Sequence, residues 1–214
     1  MDGRDKLAAL RREYVAVGLD EAAAGADPIA LFATWFEHAV ASGMHEPNAM
    51  ALATVTPDGA PSVRIVLLKG FDARGAVFFT NYDSAKGRAL AADPRAALAM
   101  LWHPLQRQVR IEGPVHEVSA QESDAYFATR PYGSRLGAVA SPQSEVVRDR
   151  AELDGRYAEA AAAYPTQVAR PERWGGYRVE PEVVEFWHGR QSRLHDRIRF
   201  ARAADGWTRE RLAP

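Results

Sequence analysis

The sequence predicts a mainly β, antiparallel fold with added helices, an α+β chain whose strands form a closed or nearly closed barrel. Three observations predict it. From residue 49 onward, apolar residues fall in short runs of strand length. Turn residues punctuate those runs, at Pro57-Asp58-Gly59, Asp72–Gly75 and Pro104. Helical segments are few and unevenly placed, so the strand–helix alternation of a parallel dinucleotide-binding sheet is missing.

The elements follow in order. Leu7, Leu10, Tyr14 and Val17 fall at helical spacing over residues 4–17 and predict an amphipathic opening helix. Residues 19–27 are rich in Ala and Gly and read as a flexible connector. Asp27 suits an N-cap and Pro28 the first helical position. Leu31, Phe32, Trp35, Phe36 and Val40 then make an apolar helical stripe, closed near Gly43. Strand, turn and strand cover 49–55, 57–59 and 61–69, with a further strand over 76–80. Residues 84–92 predict a short helix, ended by Asp93-Pro94. Two strands follow at 96–102 and 106–118. Ser119, with Glu122 three residues later, has the form of a capping box and opens a helix to about Thr129. A second, alanine-rich helix covers 145–163. The chain closes in strands at 176–179, 183–187, 193–201 and 207–212. Nothing repeats and no linker divides the chain. Residues 28–214 therefore read as one barrel domain, and 1–27 as a helix with its connector.

Composition narrows the function. The 214 residues are 47% hydrophobic, enough to bury a real core, and there is no cysteine for a disulfide, a thiolate metal site or a thiol nucleophile. The charged start Met1–Lys6 leads into no apolar signal core, and no run is long enough to cross a bilayer. The expectation is a soluble, cytoplasmic protein. A net charge of -1 carries no basic excess for nucleic acid. The six histidines do not pair at ligand spacing, so no metal is expected.

Four segments carry chemistry. Arg64-Ile65-Val66-Leu67-Leu68-Lys69 places two cations around a buried apolar run, and a half-buried cation needs an anion; an edge strand with charged ends is the plain alternative. Phe79-Thr80-Asn81 leads to Ser84-Ala85-Lys86 at a helix start, where free N–H groups and Lys86 suit a phosphate; an ordinary capped helix is the plain alternative. Tyr126 and Arg130 lie four apart, and Pro131-Tyr132-Gly133 turns the chain so that Ser134 can join them in a phosphate-monoester clamp; an arginine that only complements the dipole at a helix C-terminus is the plain alternative. Between Arg190 and Arg202 stand five arginines and one acid, Asp196. Strand alternation from 193 puts Arg193, His195, Arg197 and Arg199 on one face, with Leu194, Ile198 and Phe200 on the other. Such crowding asks for an anionic ligand. A solvated polar strand is the alternative.

Together and in order, these segments resemble the pyridoxine/pyridoxamine 5′-phosphate oxidase family. The resemblance runs from Arg11-Arg12-Glu13-Tyr14 to Arg211-Leu212-Ala213-Pro214. It takes in RIVLLK at 64–69, FFTN at 78–81, RQV at 107–109, YF at 126–127, RP at 130–131, QS at 143–144, WGG at 174–176, EFW at 185–187 and RLHDR at 193–197. It implies an FMN-binding split β-barrel, a homodimer with flavin sites at the interface. It implies that Arg64 to Lys69, Phe79, Thr80, Lys86 and Gln108 contact FMN, with Gln143, Ser144, Trp187 and Arg197 supplied by the partner subunit. The substrate, pyridoxamine or pyridoxine 5′-phosphate, would be held through its phosphate by Lys69, Tyr126, Arg130 and Ser134. The resemblance sets Arg193 and His195, with Leu194 between them, against its ring as the catalytic pair, and Arg11, Arg12, Glu13 and Tyr14 over it as a lid. Dioxygen would be the electron acceptor and pyridoxal 5′-phosphate the product.

Two positions depart from the family pattern. Ala85 stands where an arginine is usual, which predicts weaker FMN retention unless Arg88, one turn along, substitutes. Glu46 replaces an aspartate near the substrate, a milder change. Two other readings compete: a split-barrel flavin enzyme acting on another substrate, such as a phenazine precursor, and a non-catalytic binder of flavin or pyridoxal phosphate.

Overall fold

The computed structural model describes residues 18–214. The predicted opening helix, and with it Arg11, Arg12, Glu13 and Tyr14, lies outside the described residues. The chain divides into two compact units. The middle unit is built from residues 48–98 and 112–181, the terminal unit from the described residues up to 47 with 99–111 and 182–214. No linker separates them. The boundaries instead fall inside two strands, β5 (Arg95–Trp102) and β6 (Arg107–Glu117).

In the middle unit β1 (Ala49–Val55) and β2 (Pro61–Leu67) form an antiparallel hairpin over the predicted turn. Its Gly59 takes φ 87°, a backbone that favours glycine. The strand expected over 61–69 stops two residues early. The Leu68 amide still bonds the Asn48 carbonyl, but the Lys69 amide bonds Val77. The chain has changed partner, and Gly70–Asp72 continues as β3 along β4 (Gly75–Asn81). β4 pairs in turn with β7 (Trp174–Val179), and β7 with the end of β6. Phe78, Leu52 and Met50, each at most 1% exposed, fill the core of this unit.

Four helices belong here. α3 (Ala85–Ala92) starts on Ser84, whose Oγ accepts from the Gly87 amide. α4 (Ala120–Thr129) starts on Ser119, whose Oγ accepts from the Glu122 amide as expected of an N-cap. α5 covers Tyr132–Ala140. α6 begins at Arg150 and ends at Ala163, five residues later than predicted, because Asp149 rather than the chain near 145 supplies the cap. Phe127, Leu136, Ala160, Val168 and Trp174 make a second small core, and Phe79 and Tyr126 pack against it.

The terminal unit has β8 (Val183–His188), β9 (Asp196–Ala203) and β10 (Gly206–Arg211) in antiparallel order. α2 (Pro28–Ala41) lays Leu31, Phe32, Trp35 and Ala39 into its core. Trp35 meets Phe186 edge-on at 5.2 Å, and Phe186 meets Phe200 at 5.9 Å. Val40, expected in the apolar stripe, is 54% exposed, and Ala39 takes its place. Residues 28, 31, 32, 35 and 39 share one side of a 3.6-residue helix, and residue 40 falls outside that arc.

The connector is not the flexible one expected. Asp20 caps a one-turn helix, α1 (Glu21–Ala24). The Arg209 guanidinium donates to the Glu21 carbonyl at 2.6 Å and to that of Gly25, and Arg211 pairs with the Glu21 carboxylate at 2.6 Å. Cations on β10, too far away in sequence to be read locally, supply that order. No helix among the described residues is long and apolar enough to cross a membrane.

Candidate functional site

A cavity of about 480 Å³ opens in the middle unit. The partner change after Leu67 brings β2 to one wall, so Ile65, Val66, Leu67 and Lys69 line it. The C-terminal end of β4 adds Phe79 and Thr80, α3 adds Lys86, and the α4–α5 corner adds Tyr126, Arg130 and Ser134. Gln143 also lines it, within the same chain. The turn after α5 carries it back to β4.

Lys86 Nζ donates to Thr80 Oγ1 at 3.0 Å, Gln143 Oε1 at 3.1 Å and Ser84 Oγ at 3.3 Å, all neutral oxygens. Thr80 Oγ1 also donates to Gln143 Oε1 at 2.9 Å. Burial first, and the Arg64 charge second, push the Lys86 amine down from 10.5 to about 8. A second cation closes the other group of residues. The Arg130 guanidinium lies 4.7 Å from the Trp174 ring and 5.4 Å from that of Phe127. Its Nη1 is buried with no partner among the described residues. Trp174, Tyr126 and Phe79 are nearly parallel: Phe79 stacks on Tyr126 at 4.0 Å and 15°, and on Trp174 at 5.6 Å and 11°. The cavity thus joins two half-buried cations with a flat aromatic wall, which suits a planar, anionic ligand.

Arg64 and Leu68 do not line the cavity. The Arg64 guanidinium is held by Thr54 and Ser62 hydroxyls, each at 2.7 Å, and by the Leu52 carbonyl at 3.2 Å. Leu68 is buried in the core. Ser144 follows Gln143 at φ 74° and is exposed. Trp174 was missed as a site residue. Its signal was the WGG run, in which Gly175 and Gly176 leave room for neighbours: a Cβ would meet the Tyr82 hydroxyl at 2.0 Å and the Phe79 ring at 2.7 Å.

Gln108, Trp187, Arg193, Leu194, His195 and Arg197 belong to the terminal unit. Gln108 is half-buried on β6 and Trp187 on β8. Here the single-face expectation fails. β9 starts only at Asp196, and Gln191–Arg193 is a one-turn 3-10 segment with Ser192 and Arg193 at φ 56° and 60°. Arg193 and His195 therefore precede the strand, and Leu194 is 68% exposed rather than packed beside Ile198 and Phe200. The arginines do not wait for an external anion either. Arg197 pairs with buried Glu185 at 2.8 Å, and Arg199 with Glu210 at 2.5 Å. Arg110 also reaches Glu185, at 3.3 Å. These carboxylates sit on neighbouring strands, so a reading of residues 190–202 alone could not count them.

His195 has a defined setting. Its ring lies 4.7 Å from Trp187, and its Nδ1 accepts the Arg190 amide at 3.1 Å. The neutral imidazole then carries its proton on Nε2. Burial first, and Arg193 second, hold it below the usual histidine range. Next to it, the buried Asp196 carboxylate accepts from the Leu19 amide at 2.8 Å, Arg211 at 2.7 Å and Arg190 at 3.1 Å.

Two family models match this chain. The model for pyridoxamine 5′-phosphate oxidase covers residues 36–164, and that for the pyridoxine 5′-phosphate oxidase C-terminal dimerisation region covers 174–214. The chain belongs to the pyridoxamine 5′-phosphate oxidase family. A family relative in Rubrobacter xylanophilus, named pyridoxine/pyridoxamine 5′-phosphate oxidase, is 57% identical over 99% of this chain and 98% of its own. One of the same name in Pseudomonas paraeruginosa is 58% identical over 97% and 98%. Among solved structures, PhzG from Burkholderia lata, in complex with tetrahydrophenazine-1-carboxylic acid, superposes with TM-score 0.87 at 33% identity, covering 93% of this chain and 99% of its own. A pyridoxamine 5′-phosphate oxidase-related, FMN-binding protein of Nostoc punctiforme shares the fold at TM-score 0.69 and 18% identity, over 85% and 96%. In this member of the pyridoxamine 5′-phosphate oxidase family, the Arg88 guanidinium donates through Nη1 to the Asp83 carbonyl.

Proposed function

We propose that the chain is an FMN-dependent oxidase, working as a homodimer, that converts pyridoxamine or pyridoxine 5′-phosphate into pyridoxal 5′-phosphate. The observation that carries this reading is the clamp of Lys69, Tyr126, Arg130 and Ser134 on one cavity, with the buried Arg130 Nη1 unpartnered. A buried donor left unsatisfied costs about 1–3 kcal/mol, which a phosphate-ester oxygen in its place removes. The donors around Lys86 fit a second anion, the FMN phosphate, because the ammonium has only neutral oxygens as partners. The family's C-terminal dimerisation region supports the dimer.

The chemistry a bound FMN supplies is acceptance of a hydride from the substrate C4′ and delivery of two electrons to dioxygen, giving hydrogen peroxide. The chain's part is positioning. Arg130, Ser134, Tyr126 and Lys69 hold the substrate phosphate, and the Phe79–Tyr126–Trp174 wall keeps water from one side of the cavity. Arg193 orients the ring and steadies developing charge, while His195 offers Nε2–H as its hydrogen-bond donor. The amine substrate leaves as an imine that water converts to aldehyde and ammonia. The alcohol gives the aldehyde directly.

The likeness to PhzG favours one second reading, oxidation of a phenazine precursor. Aerobic turnover separates the two. With FMN added, pyridoxine 5′-phosphate should yield aldehyde and peroxide in equal amounts, and pyridoxine without its phosphate should yield neither. Peroxide from a reduced phenazine carboxylic acid, with none from either phosphorylated vitamer, would overturn the proposal.

A further inference from the structure

Of the 27 basic residues, 24 are arginine and three are lysine: Lys6, Lys69 and Lys86. Both lysines among the described residues line the cavity of the middle unit. The two side chains differ in one reaction that matters here. A guanidinium stays protonated and does not condense with an aldehyde, whereas a lysine amine forms an imine with one. A chain that turns out an aldehyde has therefore kept nearly all its surface cations unreactive toward it, and placed two reactive ones in the cavity.

Lys86 is the better nucleophile by its surroundings. It is half-buried, while Lys69 is exposed. No carboxylate pairs with it among the described residues; its three partners are the hydroxyls of Thr80 and Ser84 and the amide oxygen of Gln143. With its amine pushed down to about 8, roughly a tenth is free base at pH 7, against about one part in three thousand for an ordinary lysine. Arg130, Ser134 and Tyr126 line the same cavity and suit a phosphate.

We propose that Lys86 of the flavin-free chain captures pyridoxal 5′-phosphate as a covalent imine, so that product and FMN compete for one lysine. This rests on the reading above only in taking that aldehyde as the product. The Nζ lone pair adds to the aldehyde carbon and a C–N bond forms. The carbonyl oxygen leaves as water with the two amine protons, and no oxidant or reductant is needed. The imine occupies the cation and the Thr80 and Gln143 contacts that would otherwise serve the FMN phosphate.

The test uses the full chain stripped of flavin. It is incubated with pyridoxal 5′-phosphate, reduced with borohydride to fix any imine as a secondary amine, and mapped by peptide mass spectrometry. The expected result is a single adduct, on Lys86, that prior loading with FMN suppresses and that pyridoxal lacking the phosphate forms far more slowly. Lys86→Arg should keep its thermal melt and lose the adduct. Labelling at Lys69 or Lys6 with Lys86 unmodified, or labelling indifferent to FMN, would overturn the proposal. Mapping the unaltered chain decides the matter even if the variant does not fold. The two readings fail separately: an adduct without aerobic turnover sinks the oxidase assignment alone, and turnover without an adduct sinks this one alone.

Discussion

At the scale of single residues, the site is governed by charges whose partners are neutral or missing. Lys86 is the clearest case. Its folded pKa of about 8 lies below its ordinary 10.5, so the unfolded chain binds more protons between those values. Stability of the flavin-free chain should therefore rise with pH across that window, because the cost of burying the ammonium is removed as it deprotonates. A bound phosphate reverses the sign, raising the pKa and drawing a proton in. FMN binding at pH 8.5 should thus take up protons, seen as a binding enthalpy that changes with the ionisation heat of the buffer; buffer-independent heat would contradict the assignment. Arg193 makes a different prediction. Arg193→Leu should lower turnover by roughly a hundredfold, as expected for loss of a group that meets developing charge, while FMN affinity changes little. Equal loss of both would place Arg193 in the flavin site instead.

At the scale of elements, two devices position the chemistry. One is the start of β7. Gly176 lies so close to Phe79 that a methyl there would meet the ring at 2.7 Å, and Phe79 is the ring that stacks on Tyr126. Gly176→Ala should cost about 1–3 kcal/mol through overpacking and weaken FMN binding at the same time. Thermal melts and flavin titration read the two effects, and an unchanged flavin affinity would show that the aromatic wall does not touch the cofactor. The other device is Asp196. Burial, the largest single influence, pushes its carboxyl up, but the Leu19 amide, Arg190 and Arg211 together outweigh it and hold it below the usual carboxylate range. Its contribution is present above the ordinary carboxylate pKa and is lost as pH falls through the lowered folded value. Asp196→Asn keeps the shape and removes the charge beside two guanidiniums. It should destabilise the chain by about 1–3 kcal/mol in a denaturant titration, the loss expected when hydrogen bonds to a charged group are weakened. Because Arg190 also supplies the amide that binds His195 Nδ1, the same variant should disturb turnover. Full stability together with full activity would rule out this role.

At the scale of the whole molecule, the predictions concern assembly. β2 presents Val63 and Ile65 to solvent, 68% and 67% exposed, and residues 174–214 match a dimerisation region. Light scattering should give twice the 23.5 kDa of the chain. A monomer that still holds FMN at full affinity would refute the shared-site arrangement expected from the family. The barrel-type fold was legible because strands and turns write a local signature: 49–55 was read to the residue, and the caps at Asp27, Ser84 and Ser119 all form. Less legible were elements made by distant partners. The helix at Glu21–Ala24 exists because Arg209 and Arg211 reach it from the other end of the chain.

The sequence by itself determined the fold class and the family, since strand period, capping residues and motif order are local properties of the chain. Only the tertiary structure decided how the charges are settled. Arg193 and His195 leave the predicted strand through two residues of positive φ, Arg197 and Arg199 find carboxylates on adjacent strands, and Gln143 returns to its own chain's Lys86. Electrostatic neutrality is a property of neighbours in space. A run of five arginines looks like an anion site until the strands that carry Glu185 and Glu210 are folded beside it.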